Sequence, residues 1–106
     1  MAWLYLIIAG IFEVVWAIAM KYSQGFSRLT PSLITLATMG VSFYFLAMAS
    51  KVLPIGTAYA VWTGIGVVGA AIFGIVFMQE PKTIARILCL LLIITGIIGM
   101  KMTTKV

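Results

Sequence analysis

Residues 2–20 read AWLYLIIAGIFEVVWAIAM, an unbroken apolar run whose one charged side chain is Glu13. A helix rises about 1.5 Å per residue, so about 20 such residues cross the hydrocarbon core of a bilayer. Three further runs of this kind follow, at 33–49, 55–78 and 84–100. The gaps between them hold all three prolines and, with the tail after residue 100, every charge but Glu13 and Arg86. Apolar types make up 64% of the chain, only 8% is charged, and the mean hydropathy is +1.24. Soluble domains run near roughly 45–50% and 25%, so the composition excludes a soluble enzyme and a disordered tail alike. The runs lack the two-residue alternation of a β-barrel strand. We therefore expect an all-α integral membrane protein with four short transmembrane helices, forming one domain over residues 1–106 in an up-down-up-down bundle.

The turns carry local signals. Thr30-Pro31 reads as an N-cap followed by a first-turn proline, Pro54 opens the third span, and Thr83 is a candidate cap for the fourth. Ala17-Ile18-Ala19 has the look of a leader cleavage site, but no Lys or Arg precedes the run and an acid interrupts it, so the span is retained. Trp3, Tyr5 and Tyr22 stand where amphipathic rings anchor at headgroup level. With no histidine and one cysteine, Cys89, neither a structural zinc site nor an internal disulfide is expected, and no cofactor is implied. The net charge of +5 is dispersed around the apolar runs, which fits lipid headgroups and gives no reason to expect nucleic acid. On the fourth helix Ala85, Cys89, Leu92, Gly96 and Gly99 form a narrow-sided stripe suited to a neighbouring helix, in the same subunit or in another.

Orientation is undecided by charge. Lys51, Lys101 and Lys105 fall on one side, and Lys21, Arg28, Lys82 and Arg86 on the other. Lys and Arg in short loops set topology, so a near-balance points to insertion in both orientations and to an antiparallel pair of chains. Four short helices are also too few to enclose a hydrated path.

Glu13 is the most informative residue. It lies about 3 Å from the centre of its span. A charge at that depth costs about 3 kcal/mol on insertion scales, which the nine Leu, Ile, Val and Phe residues of the span offset at roughly 0.3–0.6 kcal/mol each. The helix still inserts, and the acid marks an ion or substrate site; the bland alternative is a protonated acid bonding a neighbouring helix. A carboxyl in such a medium holds a proton or a cation but not comfortably both, which is the physical basis of proton/cation exchange. Gly10, Glu13, Trp16 and Ala17 share a face, with Gly10 leaving room beside the carboxyl and Trp16 offering an indole N–H. Tyr59, Trp62, Thr63 and Gly66 share a face of the third helix, as do Thr35, Thr38, Ser42 and Leu46 of the second. Packing aromatics, and a serine bonded to its own helix, are the plain readings of Tyr59, Trp62 and Ser42. Gly64, Gly66, Gly69 and Gly74 permit either bending or close packing.

These residues resemble the small multidrug resistance transporters over essentially the whole length. The carriers are the four spans, Glu13, Lys21-Tyr22-Ser23-Gln24-Gly25-Phe26, Arg28-Leu29, Pro31-Ser32 and the run Pro54-Ile55-Gly56-Thr57-Ala58-Tyr59-Ala60-Val61-Trp62. The resemblance implies a dual-topology antiparallel homodimer in the inner (plasma) membrane, exchanging protons for a cation by alternating access, with Glu13 carrying both. The stretch from Glu13 to Lys21, with Trp16 within it and Met39 in the second span, is similar to the guanidinium-exporter subtype. That subtype implies roles for Gly10, Ser42, Tyr59 and Trp62 around the site; we expect Trp16 to donate to Glu13 and Ser42 to support Trp16. The partners implied are guanidinium, protons, the bilayer and a second copy of the chain. Other readings are an exporter of quaternary ammonium and lipophilic cations, half of a heteromeric pair, a non-transporting accessory subunit, or a passive cation channel. No base–nucleophile pair suggests an enzyme. A reporter fused to the C-terminus is expected on both faces of the membrane; its confinement to one face would count against dual insertion.

Overall fold

The computed structural model describes residues 1–104, so Lys105, which enters the charge comparison above, lies outside the described residues. Among the described residues the backbone forms four α-helices and no strand: α1 (Ala2–Tyr22), α2 (Leu29–Ser50), α3 (Ile55–Phe77) and α4 (Ile84–Thr103). Each is long and apolar enough to cross a membrane. Three of the helices outrun the apolar spans on which they are built, because the polar residues at their ends still satisfy backbone groups by winding on. The third instead stops one residue short of its expected end, at Phe77.

The widest departure is at the start of α2, which begins at Leu29 with Arg28 as its N-cap and no side-chain cap bond. Thr30, expected as the cap, is thus inside the first turn, together with Pro31. The cause lies in the preceding loop, which is wound tightly around the fully buried Ser23. Its hydroxyl donates to the Met20 carbonyl at 2.6 Å and accepts the Phe26 N–H at 3.0 Å. The Ser23 carbonyl takes the Ser27 and Arg28 N–H groups at 2.9 and 3.1 Å. Gln24, Gly25 and Phe26 are left-handed in succession, so the chain reverses in few residues and α2 starts early. The other two ends match expectation. Pro54 sits at the N-cap of α3, and the Thr83 side chain accepts the Arg86 N–H at 3.2 Å at the head of α4.

The helices alternate in direction but do not close into a compact bundle. The molecule measures 43 × 34 × 16 Å and is thus flattened, with its fourth helix set to one side. Helices α2 and α3 both pack on α1 and touch each other, whereas the backbone of α4 approaches α3 alone. No residue of α4 is buried. In water such a slab would be unstable, but hydrocarbon is as apolar as leucine and gives helices little reason to hide their faces. Contact is made instead where side chains are small. Ala9, Ala49 and Ala58 are fully buried where α1, α2 and α3 meet, with Leu6, Leu53 and Val61 beside them.

The glycines of α3 serve close packing, and the helix runs through them unbroken. A Cβ on Gly64 would lie 2.7 Å from Cδ1 of Ile97 on α4, and one on Gly69 would run into Val14 on α1. By contrast a Cβ on Gly96 meets nothing, and Cys89 is exposed, so the small-residue stripe of α4 makes no contact within the chain. At the far end of α3, the N–H groups of Met78 and Glu80 both reach the Gly74 carbonyl at 3.0 Å. The Glu80 carboxyl lies over Gly74 and pairs with Arg86 of α4.

Gly64→Ala is expected to destabilise the fold by about 1–3 kcal/mol through overpacking against Ile97. Gly96→Ala should gain about 1 kcal/mol of helix propensity within the lone subunit. Denaturation in detergent, followed by helicity, measures both; a loss at Gly96 would show that a second chain covers that face.

Candidate functional site

Glu13 is buried on α1, and its seat is Gly66. A Cβ at Gly66 would collide with Oε1, the carboxyl carbon and Cγ of Glu13, so only glycine lets α3 lie against the acid. This corrects the expectation for Gly10. The space on Gly10 is filled by the Ile65 side chain, and the room beside the carboxyl comes from the facing helix. Oε1 of Glu13 has no hydrogen-bond partner among the described residues. A buried carboxyl oxygen left in that condition costs free energy unless a proton, a cation or another donor completes it.

The second correction concerns Trp16 and Ser42. The indole N–H of Trp16 is buried without a partner, so it does not donate to Glu13 in this subunit. Ser42 does not support Trp16 either. It accepts the Trp62 indole N–H at 3.0 Å and donates its own proton to the Ala9 carbonyl at 2.7 Å. One hydroxyl thereby ties α3 to α2 and α2 to α1, and it is not spent on its own helix. The Ala9 carbonyl is the one that receives the Glu13 N–H in an α-helix, so this chain of bonds ends at the turn bearing the acid. A serine hydroxyl has a single proton, which the Ala9 carbonyl takes here, and this explains why Ser42 is not available to another acceptor.

The aromatic residues are brought together as a row. Trp16 meets Phe43 edge-on with centroids 6.3 Å apart, Phe43 meets Trp62 at 5.7 Å, and Trp62 meets Tyr59 at 5.6 Å. Trp62 is buried, while Tyr59 and Phe43 keep about half their surface exposed. Phe43 was missed in the sequence because a phenylalanine in an apolar span reads as lipid-facing. Its position directly after Ser42 is the one clue, and it places the ring beside Trp62 only once the Ser42–Trp62 bond is known. Trp62 and Gly66 are i, i+4 neighbours on α3, so the row of rings runs up to the level of the carboxyl. The arrangement offers a carboxyl with an open acceptor site, a nearby open indole donor, and aromatic surface. Such a set suits a small cation with N–H donors.

The family model for the small multidrug resistance proteins matches residues 1–93. A guanidinium exporter of Yersinia pseudotuberculosis is 62% identical over 104 residues, which is 98% of this chain and 100% of that protein. Guanidinium exporters of Salmonella typhimurium and Escherichia coli are each 60% identical over 104 residues, covering 98% of this chain and 99% of theirs. With four helices able to cross a bilayer, the chain is a multi-pass protein of the inner membrane. It belongs to the small multidrug resistance family.

Proposed function

We propose that the protein exports guanidinium in exchange for protons by alternating access. The working unit is an antiparallel homodimer in which each chain acts as one transmembrane domain. Glu13 holds either the proton or the cation, and Trp16, Ser42, Tyr59, Trp62 and Gly66 line or support the site. The observation that carries this reading is the buried Glu13 carboxyl whose Oε1 finds no donor in its own chain. The names borne by the relatives supply the substrate.

Guanidinium is planar, permanently charged and presents paired N–H donors matching the edge of a carboxylate. Binding it neutralises Glu13 as a proton does, and one carboxylate cannot be neutralised twice. Cation and proton therefore displace each other, and a proton gradient drives the cation the opposite way. The ring row adds a quadrupole that favours a cation, and the Trp62–Ser42–Ala9 bonds hold that row in register with the acid. A second chain is needed because three packed helices with α4 set at one side leave no opposite wall for a cation path. The near-equal distribution of Lys and Arg on the two sides allows that chain to enter inverted.

The deciding experiment is proton movement in liposomes holding only this protein, after guanidinium is added outside. Guanidinium-evoked proton flux is expected, and Glu13→Gln should abolish it while leaving the helices intact. A flux that persists in Glu13→Gln would contradict the exchange mechanism. A response to a quaternary ammonium dye without one to guanidinium would overturn the substrate. Ser42→Ala removes both the acceptor of Trp62 and the donor to Ala9, leaving a buried indole unpaired. It should weaken apparent guanidinium affinity about tenfold, the equivalent of about 1.4 kcal/mol. Titration of the flux against guanidinium concentration reads this directly.

A further inference from the structure

One end of the slab gathers the start of α1, the α2–α3 turn and the end of α4. Among the described side chains there, Lys51 and Lys101 are cationic and none is acidic. Glu13 is midway along α1, and Glu80 is at the opposite end, paired with Arg86. The Lys101 ammonium stands 5.6 Å from the centroid of the Trp3 ring. Beneath it α1 and α4 are separated by α3, and a crevice of about 170 Å³ opens between them. Its floor is Val61 and Ile65 of α3, with Ile7 on one wall and Ile97 and Ile98 on the other. Trp3, Lys101 and Met102 complete the lining at the headgroup end. A hydrogen bond of 3.3 Å between the hydroxyls of Thr57 and Thr104 fixes the end of α4 to the start of α3, so the crevice has a braced mouth.

We propose that this crevice binds one anionic phospholipid, its acyl chain against the isoleucines and its phosphate at the Lys101 ammonium. The lining is hydrocarbon apart from one ammonium and one indole, both at the outer end. That gradient matches an amphiphile with a negative head and an apolar tail. A guanidinium-like cargo fits it badly, since the lysine repels a cation and the isoleucines offer no hydrogen-bond acceptor. The volume equals about six waters at liquid density, which suits a segment of one acyl chain and is too small for a peptide. A lysine at an anionic leaflet strengthens binding by about fivefold, and among the described residues no side-chain carboxylate pairs with this ammonium. The Trp3 ring, amphipathic like other interfacial indoles, sets the depth of the head.

The test is lipid retention. The full-length protein, purified in mild detergent, is equilibrated with equal amounts of phosphatidylglycerol and phosphatidylcholine of identical acyl chains, and bound lipid is counted by native mass spectrometry. Phosphatidylglycerol should be retained in preference, one molecule per chain. Lys101→Gln should lower that retention about fivefold, and Lys101→Arg should restore it. Lys51→Gln, at the same end but outside the crevice, should change it by less than about twofold. Ile98 is 54% exposed, so Ile98→Trp can fill the crevice without disturbing the helix contacts, and it should abolish retention. Equal losses for Lys51→Gln and Lys101→Gln would reduce the effect to general surface attraction and overturn the proposal. So would equal retention of phosphatidylcholine, or retention that survives Ile98→Trp. Circular dichroism of each variant, with the rescue by arginine, separates lost charge from lost fold.

Discussion

A carboxyl group placed halfway across a bilayer must be completed by protein, proton or cargo, because hydrocarbon supplies no donor. The rest of the site is arranged around that requirement at Glu13. Gly66 gives up its side chain so that α3 can lie against the acid, and Ala9 stays small so that α2 can reach the same turn. What the chain does not do is neutralise the group itself. Each of the described Lys and Arg residues lies at a helix end or in a turn, and the other acid is occupied with Arg86. An acid answered by its own protein would be a structural element; one left open is available to a ligand.

Order around the acid comes from very few bonds. In a membrane the usual burial of apolar surface distinguishes poorly between lipid and a neighbouring helix, so specificity must come from shape and from polar contacts. Here shape is set by alanines and glycines at the crossings. The polar contact is the run from Trp62 through Ser42 to the Ala9 carbonyl, which crosses three helices in two hydrogen bonds. Both ends of that run are fixed by helix geometry, so the indole of Trp62 is aimed without any contribution from the surrounding lipid.

Much of this was legible in the residues. Run length alone identifies four spanning helices, and Thr83 and Pro54 mark helix starts because their chemistry acts locally. Glu13 stood out because a charge is so costly at its depth. What could not be read depends on facing. Thr30 looked like a cap, but the bonds that Ser23 makes within its own loop move the start of α2 upstream. Gly10 and Gly66 are equally plausible neighbours for a carboxyl until the rotation of α3 against α1 is known. Ser42 can as readily bond a carbonyl of its own helix, and only the tertiary contact selects the Ala9 carbonyl. Short turns imply an up-down-up-down bundle but not its shape, and a chain solvated by lipid can set its fourth helix to one side.

The joint between α3 and α4 has an electrical consequence. Glu80 follows the C-terminal end of α3, where the helix macrodipole is negative, and Arg86 lies in the first turn of α4, where it is positive. Each charge alone would be opposed by the field of its helix. Brought together over Gly74, they form a couple directed against both dipoles, and the ends of two helices are held side by side. The pair thereby acts as a neutral pin between two helices, and Lys82 is left as the one unpaired charge of that turn.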